Sequence, residues 1–218
     1  MQQTEISDLD SQVPAWLWNA VRLGLVALAA AIAALVLAVA NGAADPRPVG
    51  ALKWEDHFAG AVGWETFGQG ATLDDRALDI APRPGGIGGA VTGPAAAEYS
   101  FEAAGGQAGG EVGAAYGIVF DYQDSGQYTA VLINGNGYVE VFAAGGRRYM
   151  DWQQWPNILL AFEANRLRVD VEGSQGLIRI NDEILLTVPA GGGRVGVAAR
   201  GSAPGQRVRF GWAKYWAK

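Results

Sequence analysis

In "RLRVDVEG", Arg166 to Gly173, the apolar Leu167, Val169 and Val171 alternate with Arg166, Arg168, Asp170 and Glu172. A period of two puts the first set on one face of an extended strand and the second on the other, toward solvent. The same rhythm recurs in "AEYSFEA", "ILLAFEA", "GLIRIN", "RVGVAA" and "VRFGWAKYW". Turn-forming sets separate these runs: "QDSG", "NGNG", "AGG", "EGSQG", "ND" and "AGGG". Beyond Trp54 the apolar positions form no helical stripe. The pattern therefore predicts an all-β fold over 54–218, an antiparallel two-sheet β-sandwich. Within it, Tyr116, Ile118, Phe120 and Tyr122 are expected on one side of their strand. In the last strand Phe210, Trp212 and Trp216 are expected inward, with Tyr215 and Lys218 outside.

Upstream the pattern changes. "LGLVALAAAIAALVLAVANGAA", 23–44, contains no charged side chain. At about 1.5 Å per residue it reaches roughly 33 Å, enough to cross a hydrocarbon core of about 30 Å. Trp16 and Trp18 precede the run and Trp54 follows it, placed as headgroup-level anchors. A cleaved signal peptide is the rival, because "AVA" at Ala38 to Ala40 suits a cleavage site. Against it stands an acidic leader with Glu5, Asp8 and Asp10 and a single cation, Arg22. An uncleaved transmembrane helix over 16–42 is expected after a tail of 1–15. Ala20, Gly24, Ala27, Ala31, Ala34, Ala38 and Gly42 recur at steps of three and four, a stripe of small residues that lets another helix approach closely. The segment 43–53, with Pro46 and Pro48, reads as a short extended tether. A short amino tail and a large carboxyl domain place the sandwich on the extracytoplasmic side of a bacterial cytoplasmic membrane.

Composition narrows the chemistry. Hydrophobic residues make up 50% and charged ones 17% of 218, enough apolar content for a core. A net charge of −6 without a basic run excludes nucleic acid as the expected partner. No cysteine is present, which removes disulfides, thiolate metal sites and thiol nucleophiles.

At "WEDHFAGAVGWETF", "GIVFDYQDSGQYTAVLING", "NRLRVDVEGSQGLIRINDEILLTV" and "GRVGVAARGSAPGQRVRFGWAKYW" the chain resembles the concanavalin A-like jelly roll. More narrowly it is similar to laminin-G-like and 3-keto-disaccharide-hydrolase-type domains of bacterial envelope proteins. The resemblance covers 54–217 and rests on turn and core positions. It implies glycan binding or protein docking, with only some relatives being enzymes.

Catalytic constellations are sparse. His57 is the only histidine, and no G-x-S-x-G elbow accompanies it. Jelly-roll glucanases carry E-x-D-x-x-E or E-x-D-x-E; here Asp170-Val171-Glu172 is preceded by Arg168 where the first glutamate would stand. No cofactor is expected. Asp121 and Asp124, flanking "DYQDSG", are weak calcium candidates without regular ligand spacing, and Asp124 suits a turn-capping role better. The richest exposed chemistry is "RRYMDWQQWPN", which gathers Arg147, Arg148, Tyr149, Trp152 and Trp155 as a ligand or partner contact unless the tryptophans cap the core. The expected function is a non-catalytic accessory subunit, docked to integral membrane proteins through the helix and the sandwich, in an assembly such as an electron-transfer complex. A carbohydrate-binding module is the alternative and a glycan hydrolase the third reading.

Overall fold

The computed structural model describes residues 14–41, 43–59, 62–74, 76–93 and 96–218. Two compact units divide the chain, 1–46 and 47–218. The first contains one helix, α1 (Ala15–Ala40), which starts after Pro14, where a missing N–H costs nothing. None of its residues is buried, and its length and apolar character suffice to cross a membrane. Trp16, Trp18 and the small residues from Ala20 to Ala38 all lie on it, exposed; Gly42 and the acidic leader fall outside the described residues.

The second unit is all β. In chain order its strands are β1 (Ala51–Asp56), β2 (Glu65–Gly68), β3 (Ala71–Asp74), β4 (Ala77–Ile80), β5 (Ile87–Thr92), β6 (Tyr99–Gly109), β7 (Ala115–Asp124), β8 (Gln127–Asn134), β9 (Tyr138–Ala143), β10 (Arg148–Gln154), β11 (Asn165–Glu172), β12 (Gln175–Ile180), β13 (Glu183–Pro189), β14 (Arg194–Arg200) and β15 (Arg207–Ala217). One sheet has eight strands, in the order β13-β12-β11-β6-β15-β4-β3, with β1 also on β15; the other has seven, β10-β9-β8-β7-β14-β5-β2. These strands all pair antiparallel, the arrangement that the short turns require.

The core lies between the sheets. Leu167, Val169 and Val171 are fully buried, as the alternation predicts, and meet Tyr116, Ile118, Phe120, Val131 and Val197 from the facing sheet in one cluster. Each fully buried aliphatic or aromatic side chain contributes roughly 1.5–3 kcal/mol of transfer free energy.

The structure corrects several expectations, two of them by a backbone irregularity that inverts the alternation. In β15 the register slips between Phe210 and Trp212. One extra residue turns every later side chain over, so Ala213 and Tyr215 point into the core while Trp212 and Trp216 go to the outer face. In β7 the register slips between Phe120 and Asp124, with Asp121 at φ 54°, and Tyr122 leaves the core side for the outer face, against Phe67 and Tyr128. "ILLAFEA" is a loop rather than a strand. The buried Asn165 carboxamide accepts from Leu159 N (2.8 Å) and donates to Leu159 O (3.0 Å) and the Tyr116 hydroxyl (2.9 Å), which clasps the chain in a turn. The polar face of β11 is solvated only at its ends, Arg166 and Glu172; in its middle Arg168 and Asp170 are buried in an ion network with Glu102 and Arg179. Trp54, expected as a headgroup-level ring, stacks on Tyr215 (5.6 Å) and packs against Trp64 (5.9 Å), half-buried at the core.

Candidate functional site

The face of the seven-stranded sheet turned away from the core carries the candidate site. Register aligns Phe67, Gly89, Ala198, Gly117, Leu132 and Glu140 across six strands. The next row toward one end of the sandwich is Ile87, Arg200, Ala115 and Asn134. Gly89, Ala198 and Gly117 in the first row and Ala115 in the second make a low floor over which long side chains can lie. Arg200 does so. Its guanidinium reaches the Glu140 carboxylate and sits over the rings of Trp152 (5.6 Å) and Phe142 (5.8 Å).

Glu140 is wholly buried, yet both its oxygens are taken, one by Arg200 and the other by Arg148 Nη1 at 3.2 Å. A buried carboxylate is tolerable when paired in this way, and the pairing fixes the guanidinium in return. Beside Arg200 opens a cleft of about 270 Å³, lined by Gly113, Ala115, Asn134, Tyr138, Trp152, Arg200, Gly201 and Ser202. Trp152 and Tyr138 are 37% and 38% exposed there, unlike Phe67, Tyr122 and Tyr128, which bury one another farther along the face. Desolvation by that burial raises the Tyr128 hydroxyl above its ordinary value.

The cleft's polar groups are positioned by turns. Asn134 Oδ1 accepts from Asn136 N (3.1 Å) and Tyr138 N (3.2 Å), closing the β8–β9 hairpin and leaving its Nδ2 without a protein partner among the described residues. Gln206, buried, holds the opposite rim by accepting from Ser202 N (2.7 Å) and Ala203 N (2.9 Å) and donating to Glu111 O (2.9 Å). Arg200 Nε and Nη1 likewise make no hydrogen bond within the described residues. Two exposed rings and several unspent donors over a shallow floor suit a polyhydroxylated ring: its apolar face stacks and its hydroxyls accept. No carboxylate lines the cleft, so the described lining lacks the acid and base of glycoside cleavage.

The segment expected to supply a contact splits. Trp155 and Tyr149 pack against the core, and Arg147 stacks on Tyr149 at 4.8 Å. Arg148 and Trp152 come together with Arg200 on the outer face. Arg200, Tyr138 and Asn134 were missed; the visible signal was an arginine closing the apolar run "RVGVAAR" and a tyrosine directly after "NGNG". Asp121 receives Gly191 N on both oxygens at 3.0 Å, and burial raises its carboxyl despite that bond. Asp124 Oδ1 accepts from Gly126 N at 2.7 Å, a turn cap. Among the described residues no group of three or more His, Cys, Asp or Glu is placed to hold a metal ion. His57 is exposed beside Gly211 O (3.2 Å), and Asp170 belongs to the opposite sheet.

No protein-family model and no curated protein matches the chain. Solved structures do. The GH43 protein BlXynB from Bacillus licheniformis aligns with 76% of this chain at 16% identity and a TM-score of 0.54; the chain spans only 39% of that protein's length. The carbohydrate-binding module CBM66 from Bacillus subtilis aligns with 68% of this chain and 92% of its own length, at 16% identity and a TM-score of 0.53. The carbohydrate recognition domain of Emp47p aligns with 76% of this chain and 96% of its own, at 14% identity and a TM-score of 0.51. At these identities the likeness is one of fold: a lectin-like jelly-roll sandwich.

Proposed function

We propose that the sandwich is a non-catalytic glycan-binding module held at a membrane by α1, with the Trp152–Tyr138–Arg200 cleft as its sugar site. The observation that carries this is the pair of exposed rings beside Arg200 and Asn134 donors that no described protein group uses. The fold it shares with a carbohydrate-binding module and a carbohydrate recognition domain supports the same reading. The test is binding of the full chain in detergent to a panel of envelope polysaccharides. Trp152→Ala removes a stacking platform worth about 2 kcal/mol, roughly a thirtyfold rise in Kd. Unchanged binding by Trp152→Ala and by Arg200→Gln would sink the assignment.

A second reading keeps α1 as the docking element of a larger membrane assembly, with the module as its accessory subunit. It rests on the small-residue stripe from Ala20 to Ala38, exposed along its length. Co-migration with a large complex on native gels, lost when Gly24, Ala27, Ala31 and Ala34 become leucine, is its expected outcome. Migration alone counts against it.

A further inference from the structure

The opposite face of the sandwich has a different character. On the outer side of the eight-stranded sheet one row runs Leu52, Trp216, Ser100, Asp170 and Leu177. The middle of the face is occupied by ions that satisfy one another: Arg168 with Asp170 (3.1 Å) and Glu102 (3.5 Å), and Arg179 with Asp170 (3.2 Å). Around it, exposed ion pairs (Arg166–Asp182, Arg209–Asp79 and Lys218 with Glu98 and Glu172) stand beside single apolar side chains. Leu52 is 51% exposed, Ile184 (opposite Arg179) 53% and Phe162 55%. Phe162 and Trp212 are two walls of a cleft of about 330 Å³ whose floor is alanine and glycine, and Lys214 Nζ lies 4.9 Å over the Trp212 ring. The chain also enters the sandwich on this face, because Val49 N donates to Ser100 Oγ at 2.7 Å.

We propose that this outer face is a membrane-contacting surface, seated in the headgroup layer of the bilayer. The proposal rests on the reading of α1 as an anchor. From Asn41, which ends the helix, to Val49 is eight residues, at most about 27 Å of extended chain. A sandwich so tethered cannot leave the neighbourhood of the bilayer, and its attachment point lies on the face in question. The distribution of residues selects lipid over a protein partner. A protein interface concentrates its energy in a desolvated apolar centre ringed by polar groups. Here the centre holds buried paired ions, and single apolar side chains stand apart from one another among exposed ion pairs at the edge. Tryptophans with a lysine ammonium over one ring are the side chains that favour the boundary between hydrocarbon and water. The Phe162–Trp212 cleft is open to accept part of an acyl chain. In this arrangement the sugar cleft, on the other sheet's outer face, looks away from the membrane.

The absence of cysteine makes the test direct. Single variants Phe162→Cys, Ile184→Cys, Tyr138→Cys and Leu28→Cys of the full chain are labelled with an environment-sensitive fluorophore. They are then reconstituted into phosphatidylcholine–phosphatidylglycerol vesicles. Quenching is compared between nitroxide-bearing lipid and aqueous iodide. The probes at 162 and 184 are expected to shift to the blue, lose intensity to nitroxide lipid and resist iodide, whereas the probe at 138 does the opposite. Iodide quenching at 162 and 184 equal to that at 138 overturns the proposal. So does shielding from both quenchers, which would mean cover by protein. The probe at 28 separates the two premises: if nitroxide lipid leaves it unquenched, the anchor itself is refuted. If it is quenched while 162 is not, the face proposal alone fails.

Discussion

Replacing Asn165 by alanine tests how the loop between β10 and β11 is held. The side chain is fully buried and bonds five groups: Leu159 N and O, Glu163 O (3.4 Å), the Tyr116 hydroxyl and Asn181 Nδ2, the last at 2.8 Å. Tyr116 is itself buried, and that burial pushes its hydroxyl up to about 12. Alanine returns none of these bonds and strands at least one buried hydroxyl. With a net value of about 1 kcal/mol per hydrogen bond, and 1–3 kcal/mol for a buried group left unpaired, the loss is about 3 kcal/mol. In a domain of this size each kcal/mol moves Tm by about 2–4 °C, so the sandwich should melt roughly 6–12 °C lower. Thermal unfolding of the detergent-solubilised chain, followed by near-UV dichroism, reads the packed aromatic rings of the sheets, to which the exposed Trp16 and Trp18 of α1 add little. Hydrogen exchange adds the local readout: the Leu159 amide should lose protection well beyond the change at Val169. Tyr116→Phe, which removes one partner and strands little, should cost about 1 kcal/mol, and the double variant should cost less than the sum because the two share a bond. A loss below about 1 kcal/mol for Asn165→Ala, or an unchanged Leu159 amide, would refute the clasp.

Two further outcomes follow from backbone and charge. Gly50 has φ 82°, and a Cβ there would lie 2.2 Å from the Ala217 carbonyl carbon, so Gly50→Ala should cost roughly 2 kcal/mol or more in urea titration and loosen the Val49–Ser100 contact. Asp121 is held above its ordinary value of 3.8 by burial, so the folded state binds its proton more tightly than the unfolded chain does. Wild-type stability relative to Asp121→Asn should therefore fall as pH rises from 3.8 through the raised value and stay level above it; a difference that grows with pH contradicts the assignment.

The elements were legible where alternation runs unbroken. Leu167, Val169 and Val171 sit where a period of two puts them, and the glycine- and asparagine-rich turns join antiparallel neighbours. Legibility ended where long-range contacts decide. "ILLAFEA" has strand composition, yet Asn165 and Tyr116, 49 positions apart, hold its start as a turn. The charged face of β11 looks solvated in isolation, because the neighbours that bury and pair it, Glu102 and Arg179, lie on β6 and β12. The candidate cleft draws Asn134, Tyr138, Trp152 and Arg200 from β8, β9, β10 and β14, and no spacing along the chain announces that meeting.

The two places where alternation inverts bear on both proposed surfaces. A period of two is obeyed only while pairing register is continuous, and a single inserted residue reverses the parity of all that follows. In β7 the reversal after Phe120 delivers Tyr122 to the outer face of the seven-stranded sheet. There it and Tyr128 stack at 5.9 Å and close the far part of that face, which leaves the exposed rings confined to the Arg200 end. In β15 the reversal at Gly211 exchanges Tyr215 for Trp212 and Trp216. The core gains a tyrosine whose hydroxyl accepts from Ala96 N at 2.7 Å, and the outer face of the eight-stranded sheet gains two indoles. Had the alternation run unbroken, both indoles would lie inside and that face would carry Tyr215 in their place. Ideal alternation would serve the core best; the departures supply the surfaces, as expected where local rules yield to function. Deleting Gly211 tests whether it is the inserted residue. Phe210, Trp212 and Ala213 already face the consecutive Gly105, Ala104 and Ala103, so the shortened strand should pair without a bulge, keep Tyr215 inside and leave both indoles on the outer face. Iodide quenching of tryptophan emission should then match that of the wild type; a marked loss of quenching would show the indoles driven inward and refute Gly211 as the residue that sets the parity of β15.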